Sequence, residues 1–286
     1  MRQYLDTPSF WLLAVAWFAV LLTMGCADRP DDPPRLFQQL SGPTSMSGSA
    51  IKDETERLRI ALSRAIPSSA ARVTRDDHAW IVRTMAALAS ARIGIGRPQT
   101  IVVVDRAPLV QEMVVIVSRS DGPWEVLGGS RISTGQTGRR GYFITPSGVF
   151  IHDSAIVDYR AKGSFNQNHI RGLGIKGMRV WDFGWRTALK GWTRNGSAVP
   201  IRFLMHATDP DVLEPRLGRQ ASMGCIRIPA AMNRFLDLNG ILDVDLERAA
   251  KTDARFHAVL DPWRHPTPLA GDKLVVVDSS EPDPPS

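Results

Sequence analysis

The sequence predicts a mainly β domain with a small helical region in front of it and one helix after its single downstream cysteine. Three observations carry that prediction. Short β-branched or apolar runs separated by turn residues begin near Pro98. Two stretches before Pro98 place apolar residues at helical spacing instead. Beyond Cys225, Pro229 stands where the first turn of a helix favours proline. With 286 residues, 43% hydrophobic and 22% charged, the chain is globular and long enough for a sizeable core.

From Thr7 to Ala27 no side chain is charged, and the centre reads FWLLAVAWFAVLLTMG after Arg2. Residues 1–26 therefore read as a secretory signal or a nearly spanning membrane anchor. Gly25-Cys26 resembles a lipoprotein cleavage site, which makes Cys26 a candidate for lipidation, although Thr23 and Met24 fit that motif poorly. The expected location is the periplasm or cell envelope, with membrane attachment at the N-terminus through the anchor or the lipid. Residues 27–50 are rich in Pro, Ser and Gly and read as a flexible linker.

Residues 51–66 form a predicted helix with Ile51, Leu58, Leu62 and Ile66 on one face, stopped by Pro67. A second, 77–92, takes Asp76 or Asp77 as N-cap and turns Ile81, Met85 and Leu88 inward. The region 51–97 is expected to be a helical hairpin, there for packing or for recruiting a cell-envelope protein partner. The main domain, 98–250, opens with strands at 101–104, 113–117 and 124–127 and another strand or edge at 130–135. Thr145-Pro146-Ser147-Gly148 turns into the next strand.

Residues 153–198 form a long excursion with few regular strands, containing Trp181, Trp185 and Trp192. Such a length reads as a flap or groove wall, or as an insertion with its own small core. A strand at 200–205 then delivers His206, and a helix runs from Pro229 to about Leu238, closed by Asn239-Gly240. Residues 241–246 read as a last strand. The C-terminal extension, 251–286, holds an extra strand at 274–277 and a loose end from Glu281.

The net charge of +6 persists when residues 1–26 are removed, because Arg2 and Asp6 leave together. A basic exported chain suits an anionic surface such as cell-wall polymer or lipid headgroups. No nucleic-acid partner is expected, since no basic and aromatic arrangement of a known module is present. Gly135, Gly138 and Gly141 are not a phosphate loop, for no GxxxxGK[ST] pattern occurs. No CxxC, HxH or HExxH spacing exists either, so no metal and no cofactor is expected; His206 and Cys225 with Asp209 or His169 are the sole set on paper.

The chemistry centres on His206 and, fifteen residues further, Ser222-Met223-Gly224-Cys225-Ile226-Arg227. A thiol attacking a carbonyl, with an imidazole carrying the proton, performs acyl transfer. Gly224 permits the sharp turn that exposes the sulfur. Backbone amides of Gly224 and Cys225, with Met223, are candidate donors to the oxyanion. Arg227 either binds a substrate carboxylate or braces the loop. Ser222 supports the site from behind. The third member of a triad is Asp209, Asp211 or a backbone carbonyl. The competing reading is an inert buried cysteine beside an unrelated histidine.

This pattern resembles the L,D-transpeptidase catalytic domain, also called the YkuD family. Thr145-Pro146-Ser147-Gly148 is similar to the family's TPxG turn, and Ser133-Thr134-Gly135 to the stretch before it. The likeness spans roughly residues 99–246, about half the chain. It implies a β-sandwich or barrel-like fold in which Cys225 attacks a tetrapeptide stem of peptidoglycan at its third residue. Terminal D-alanine leaves, and the acyl group passes to another stem, forming a 3-3 cross-link. The resemblance implies His206 as base, Gly224 and Met223 at the oxyanion, and Arg227, Ser222, Thr145, Trp181 and Trp185 around the substrate. Ala207 replaces a common Gly and Met223 a common His. A carboxypeptidase or cross-link hydrolase using the same thiol, and a noncatalytic wall-binding protein, are the alternatives.

Overall fold

The computed structural model describes residues 46–74 and 76–281. The leader 1–26 with Cys26, residues 27–45 of the linker and residues 282–286 lie outside them. No helix among the described residues is long and apolar enough to cross a membrane. The described residues belong to one compact unit.

The architecture is mixed α/β rather than mainly β: two sheets flanked by short helices. The first sheet contains β1 (Gln99–Asp105), β2 (Glu112–Ser118), β3 (Glu125–Arg131), β4 (Gly148–Ile151) and β9 (Lys273–Val277), in the order β3-β2-β1-β9-β4. The second holds β5 (Tyr159–Arg160), β6 (Arg179–Leu189), β7 (Ala198–Ala207) and β8 (Ile226–Ile228) in sequential order. β1 and β2 are buried along their whole length, which explains why they read as unbroken apolar runs and not as alternation.

Alternation nonetheless sorts the two faces. Val102 and Val104 face the core between the sheets, with Val115, Phe150, Trp181, Phe203, Met205, Ile226 and Ile228. Ile101 and Val103 face the other way, under Trp80 and Leu88. Helices α1 (Gly48–Ala65) and α2 (Asp77–Ser90) therefore pack on opposite faces of the first sheet, not as a hairpin. Ile51, Leu58 and Leu62 point into the core as expected, and the last linker residues already belong to α1, capped by Ser47. Asp76 caps α2, but its buried row is Trp80, Thr84 and Leu88, and Met85 faces outward. The tryptophan, bulkier than Met85, claims the sheet.

Three further expectations need correction. The excursion 153–198 contains β6, which at 11 residues is the longest strand. Its sequence, with Arg179, Asp182 and Gly184 among aromatics, hid the strand because a bulge between Asp182 and Trp185 breaks the period of two. Residues 241–246 are no strand: Gly240, at φ +56°, ends helix α3 (Ala230–Leu238), Ile241 and Leu242 are buried in a turn, and α4 (Val244–Ala249) follows. Helix α5 (Ala254–Val259) then leads toward β9. That strand is no extra element. It sits between β1, to which it is parallel, and β4.

Candidate active site

Strand β7 carries His206, and the short β8 lies parallel beside it, with Met205 opposite Ile226 and His206 opposite Arg227. Met205, Ile226 and Ile228 point into the core. Alternation then turns His206, Arg227 and Cys225, the residue just before β8, to the outer face of the second sheet. Cys225 and His206 are diagonal neighbours on that face, a relation that spans on the order of 7–8 Å between Cα atoms.

The imidazole is buried and fixed. Its Nδ1 lies 2.7 Å from the Ala207 carbonyl, an oxygen that can only accept, so the proton sits on Nδ1 and Nε2 keeps its lone pair. Among the described residues no carboxylate holds the ring. Asp209 instead accepts from the Arg171 amide at 2.7 Å, Asp211 pairs with the Arg171 guanidinium at 2.6 Å, and His169 packs beside Phe165. Burial pushes His206 down to about 4, with the Arg227 charge adding to it and the Ala207 bond opposing. Cys225 carries a free thiol. Burial pushes the thiol up, against a backbone hydrogen bond at Leu204 and the Arg227 charge, while the Asp182 carboxylate reinforces the rise. The resting pair is thus a neutral thiol and a neutral imidazole. The thiol contacts the Arg202 carbonyl at 3.8 Å, and among the described residues no hydrogen bond joins it to His206.

The cysteine loop is braced from inside. Gly224 has φ +125°, a backbone conformation that side chains rarely adopt, so glycine is needed there. Its amide, however, donates to Ser222 Oγ at 3.1 Å, which removes it from the oxyanion donors expected from the sequence. Met223, 55% exposed, and Cys225 supply the amides that have no hydrogen bond among the described residues. Ser222 donates to the Cys225 carbonyl at 2.5 Å and is buried, so it supports the loop and does not reach substrate. Arg227 braces too, donating to the Ala221 carbonyl at 3.1 Å.

Thr145 is likewise no substrate contact. It is buried, accepts from the Gly135 amide at 2.9 Å and donates to the Gly224 carbonyl at 2.8 Å, joining the TPxG turn to the cysteine loop. Thr145→Val keeps the shape and strands both backbone groups. The expected loss is about 2–3 kcal/mol, read from urea unfolding, together with slower acylation of Cys225 as its loop slackens.

The tryptophans part company. Trp181 lies fully inside the core and cannot line a groove. Trp185 is 62% exposed. The bulge in β6 pairs Asp182 with Leu204 and Trp185 with Arg202, which brings both onto the face that carries Cys225. Trp192 packs edge-on against Phe143.

Sequence reasoning missed three neighbours of the sulfur: Arg202, Asp182 and Tyr159. Arg202 Nε lies 2.9 Å from the Asp182 carboxylate. Tyr159 pairs with Val180, which in turn lies opposite His206, so it stands on the same face; burial pushes its phenol up, and the Asp182 charge adds to the rise. Regular alternation and pairing put these three on that face; only Trp185 owes its place there to the bulge, which alternation cannot forecast.

A second polar cluster was also illegible. Arg179, wholly buried, lies 2.8 Å from Asp158, 3.3 Å from Asp237 and 3.1 Å from Asp243. His152 joins them through Nε2, 2.9 Å from Asp158, and through Nδ1, 2.9 Å from the Leu242 carbonyl. His152, Asp158 and Asp243 have the spacing of a metal site. The ring nitrogens both face acceptors, so both carry protons and neither offers a lone pair to a cation. Burial alone would lower His152, but the Asp158 and Asp243 carboxylates outweigh it and hold the imidazolium at about 9.

No protein-family model matches the chain, and no curated protein matches it.

Proposed function

We propose that this chain is an exported cysteine acyltransferase of peptidoglycan, of the L,D-transpeptidase type its motifs resemble, on that family's sandwich or barrel-like domain. One observation carries the reading: a free, half-buried thiol just before β8 and an imidazole with an available Nε2 on β7 share one face of the second sheet. In the first half-reaction Cys225 Sγ bonds to the carbonyl carbon of the third stem residue as its proton passes to His206 Nε2. The amides of Met223 and Cys225 receive the oxyanion. The C–N bond then breaks, His206 returns the proton to the departing D-alanine amine, and a thioester remains. In the second, an amine of another stem attacks the thioester and gives its proton to His206. The sulfur leaves and takes that proton back.

The N-terminal segment would hold this domain at the envelope, where its substrate lies, and the net charge of +6 favours an anionic polymer. The test is incubation of the full chain with tetrapeptide muropeptides, followed by intact mass and product analysis. A thioester on Cys225 with D-alanine and cross-linked dimer is the expected result. Tripeptide without dimer would identify the hydrolase instead. Neither thioester nor product would overturn the assignment.

A further inference from the structure

The outer face of the second sheet holds a cation that the acyl-transfer steps above leave unused. Arg202, on β7, has a side chain 38% exposed. Its Nε is held 2.9 Å from Asp182, and among the described residues no hydrogen bond engages either Nη. Its Cζ lies 5.9 Å from the centre of the exposed Trp185 ring. Cys225 lies beside Leu204, two residues from Arg202 on β7, so alternation puts the guanidinium and the sulfur on one face, and the thiol lies 3.8 Å from the Arg202 carbonyl. The β6 bulge is what makes this arrangement: with regular alternation Asp182 and Trp185 would project from opposite faces. Gly184 turns that bulge at φ +79°.

A guanidinium fixed at Nε, supported by an aromatic ring and open along its Nη1–Nη2 edge is a carboxylate receptor, because that edge matches two carboxylate oxygens. We propose that Arg202 is the specificity-determining anchor of the site, binding the free carboxylate of an acyl donor whose chain ends one residue beyond the carbonyl that Cys225 attacks. Consecutive Cα atoms lie about 3.8 Å apart, and Arg202 stands two positions along β7 from the residue beside Cys225, about 6.6 Å away, the remainder being within reach of its long side chain. Donors extended by a further residue, or blocked at that carboxylate, lose the contact. Asp182 holds Arg202 in place and also limits its affinity, which lets the short leaving fragment depart.

The assignment rests on acyl transfer at Cys225, so the experiment separates the two. The first measurement needs no peptidoglycan: alkylation of Cys225 in the full chain by iodoacetate and by iodoacetamide, followed on the Cys225 peptide by mass spectrometry. The iodoacetate-to-iodoacetamide rate ratio is expected to fall about tenfold in Arg202→Gln, since one charge-assisted contact is removed, and to recover in part in Arg202→Lys. The second compares tetrapeptide donors with a free or an amidated C-terminus. The free acid is expected to be preferred about tenfold, mainly through KM, and Arg202→Gln is expected to abolish the preference. An alkylation ratio unchanged in both variants overturns the anchor even if stem peptides turn over. A ratio that falls in a protein inert toward stem peptides keeps the anchor and overturns the peptidoglycan reading.

Discussion

His206→Ala is expected to slow acylation of Cys225 by a tetrapeptide donor by about 10²–10⁴-fold, and Cys225→Ala to abolish it. The physical reason is the neutral resting pair. With the imidazole held at about 4 and the thiol above its ordinary value, moving the proton to the imidazole before attack is strongly uphill. The proton must therefore pass to Nε2 as the S–C bond forms, and without a base in place the barrier keeps that cost. A pH signature follows. Burial lowers His206, so the imidazole stays neutral until pH falls through about 4, and donor acylation is expected to be flat from mildly acidic to neutral pH. Alkylation by iodoacetamide, which needs the thiolate, is expected to keep rising past pH 9 in wild type, since the thiol is raised. A thiolate plateau below pH 7 would show that the pair rests as an ion pair and would refute this account.

Arg179→Met is expected to cost about 3–5 kcal/mol of stability, enough to unfold a marginal domain. The substitution leaves Asp158, Asp237 and Asp243 buried around an apolar side chain, and these three anchor the turn before β5, helix α3 and the turn before α4. His152 links the same cluster to the end of β4. Its pKa is raised in the folded state, so its contribution is complete below about 6.5 and disappears as pH rises through about 9. The full amount is on the order of 3 kcal/mol. Asp158 moves the other way: burial opposes, but His152 and Arg179 hold it low, so its contribution is lost only as pH falls through that depressed value. Urea midpoints are expected to decline between pH 7 and 10 in wild type and to stay level in His152→Gln. An equal decline in both proteins would mean that the imidazolium contributes nothing.

Much of this molecule can be read from its sequence, for identifiable reasons. Runs such as Met113-Val114-Val115-Ile116-Val117 are strands because β-branched residues crowd a helix and suit a pleat. Helix α3 is bounded by Pro229 and Asn239-Gly240, whose backbone limits act locally. That His206 ends a strand and Cys225 follows a glycine turn was legible because a strand end and a glycine turn each declare themselves. Other features depend on distant partners. Trp181 and Trp185 are the same residue type four positions apart, yet one is core and the other exposed, since the bulge between them reverses the side they face. Thr145 and Ser222 belong to recognisable motifs, but whether a motif hydroxyl meets substrate or backbone depends on its burial. Asp158, Arg179 and Asp243 carry no pattern; a buried charge looks like a surface charge until its counter-ions are known.

The place of β9 bears on how the molecule comes into being. Ile101 pairs with Lys273, so the strand between β1 and β4 comes from a part of the chain far beyond both of its neighbours. Until it arrives, β1 and β4 each present an unpaired border, and loop closure over so long a separation makes the final step slow.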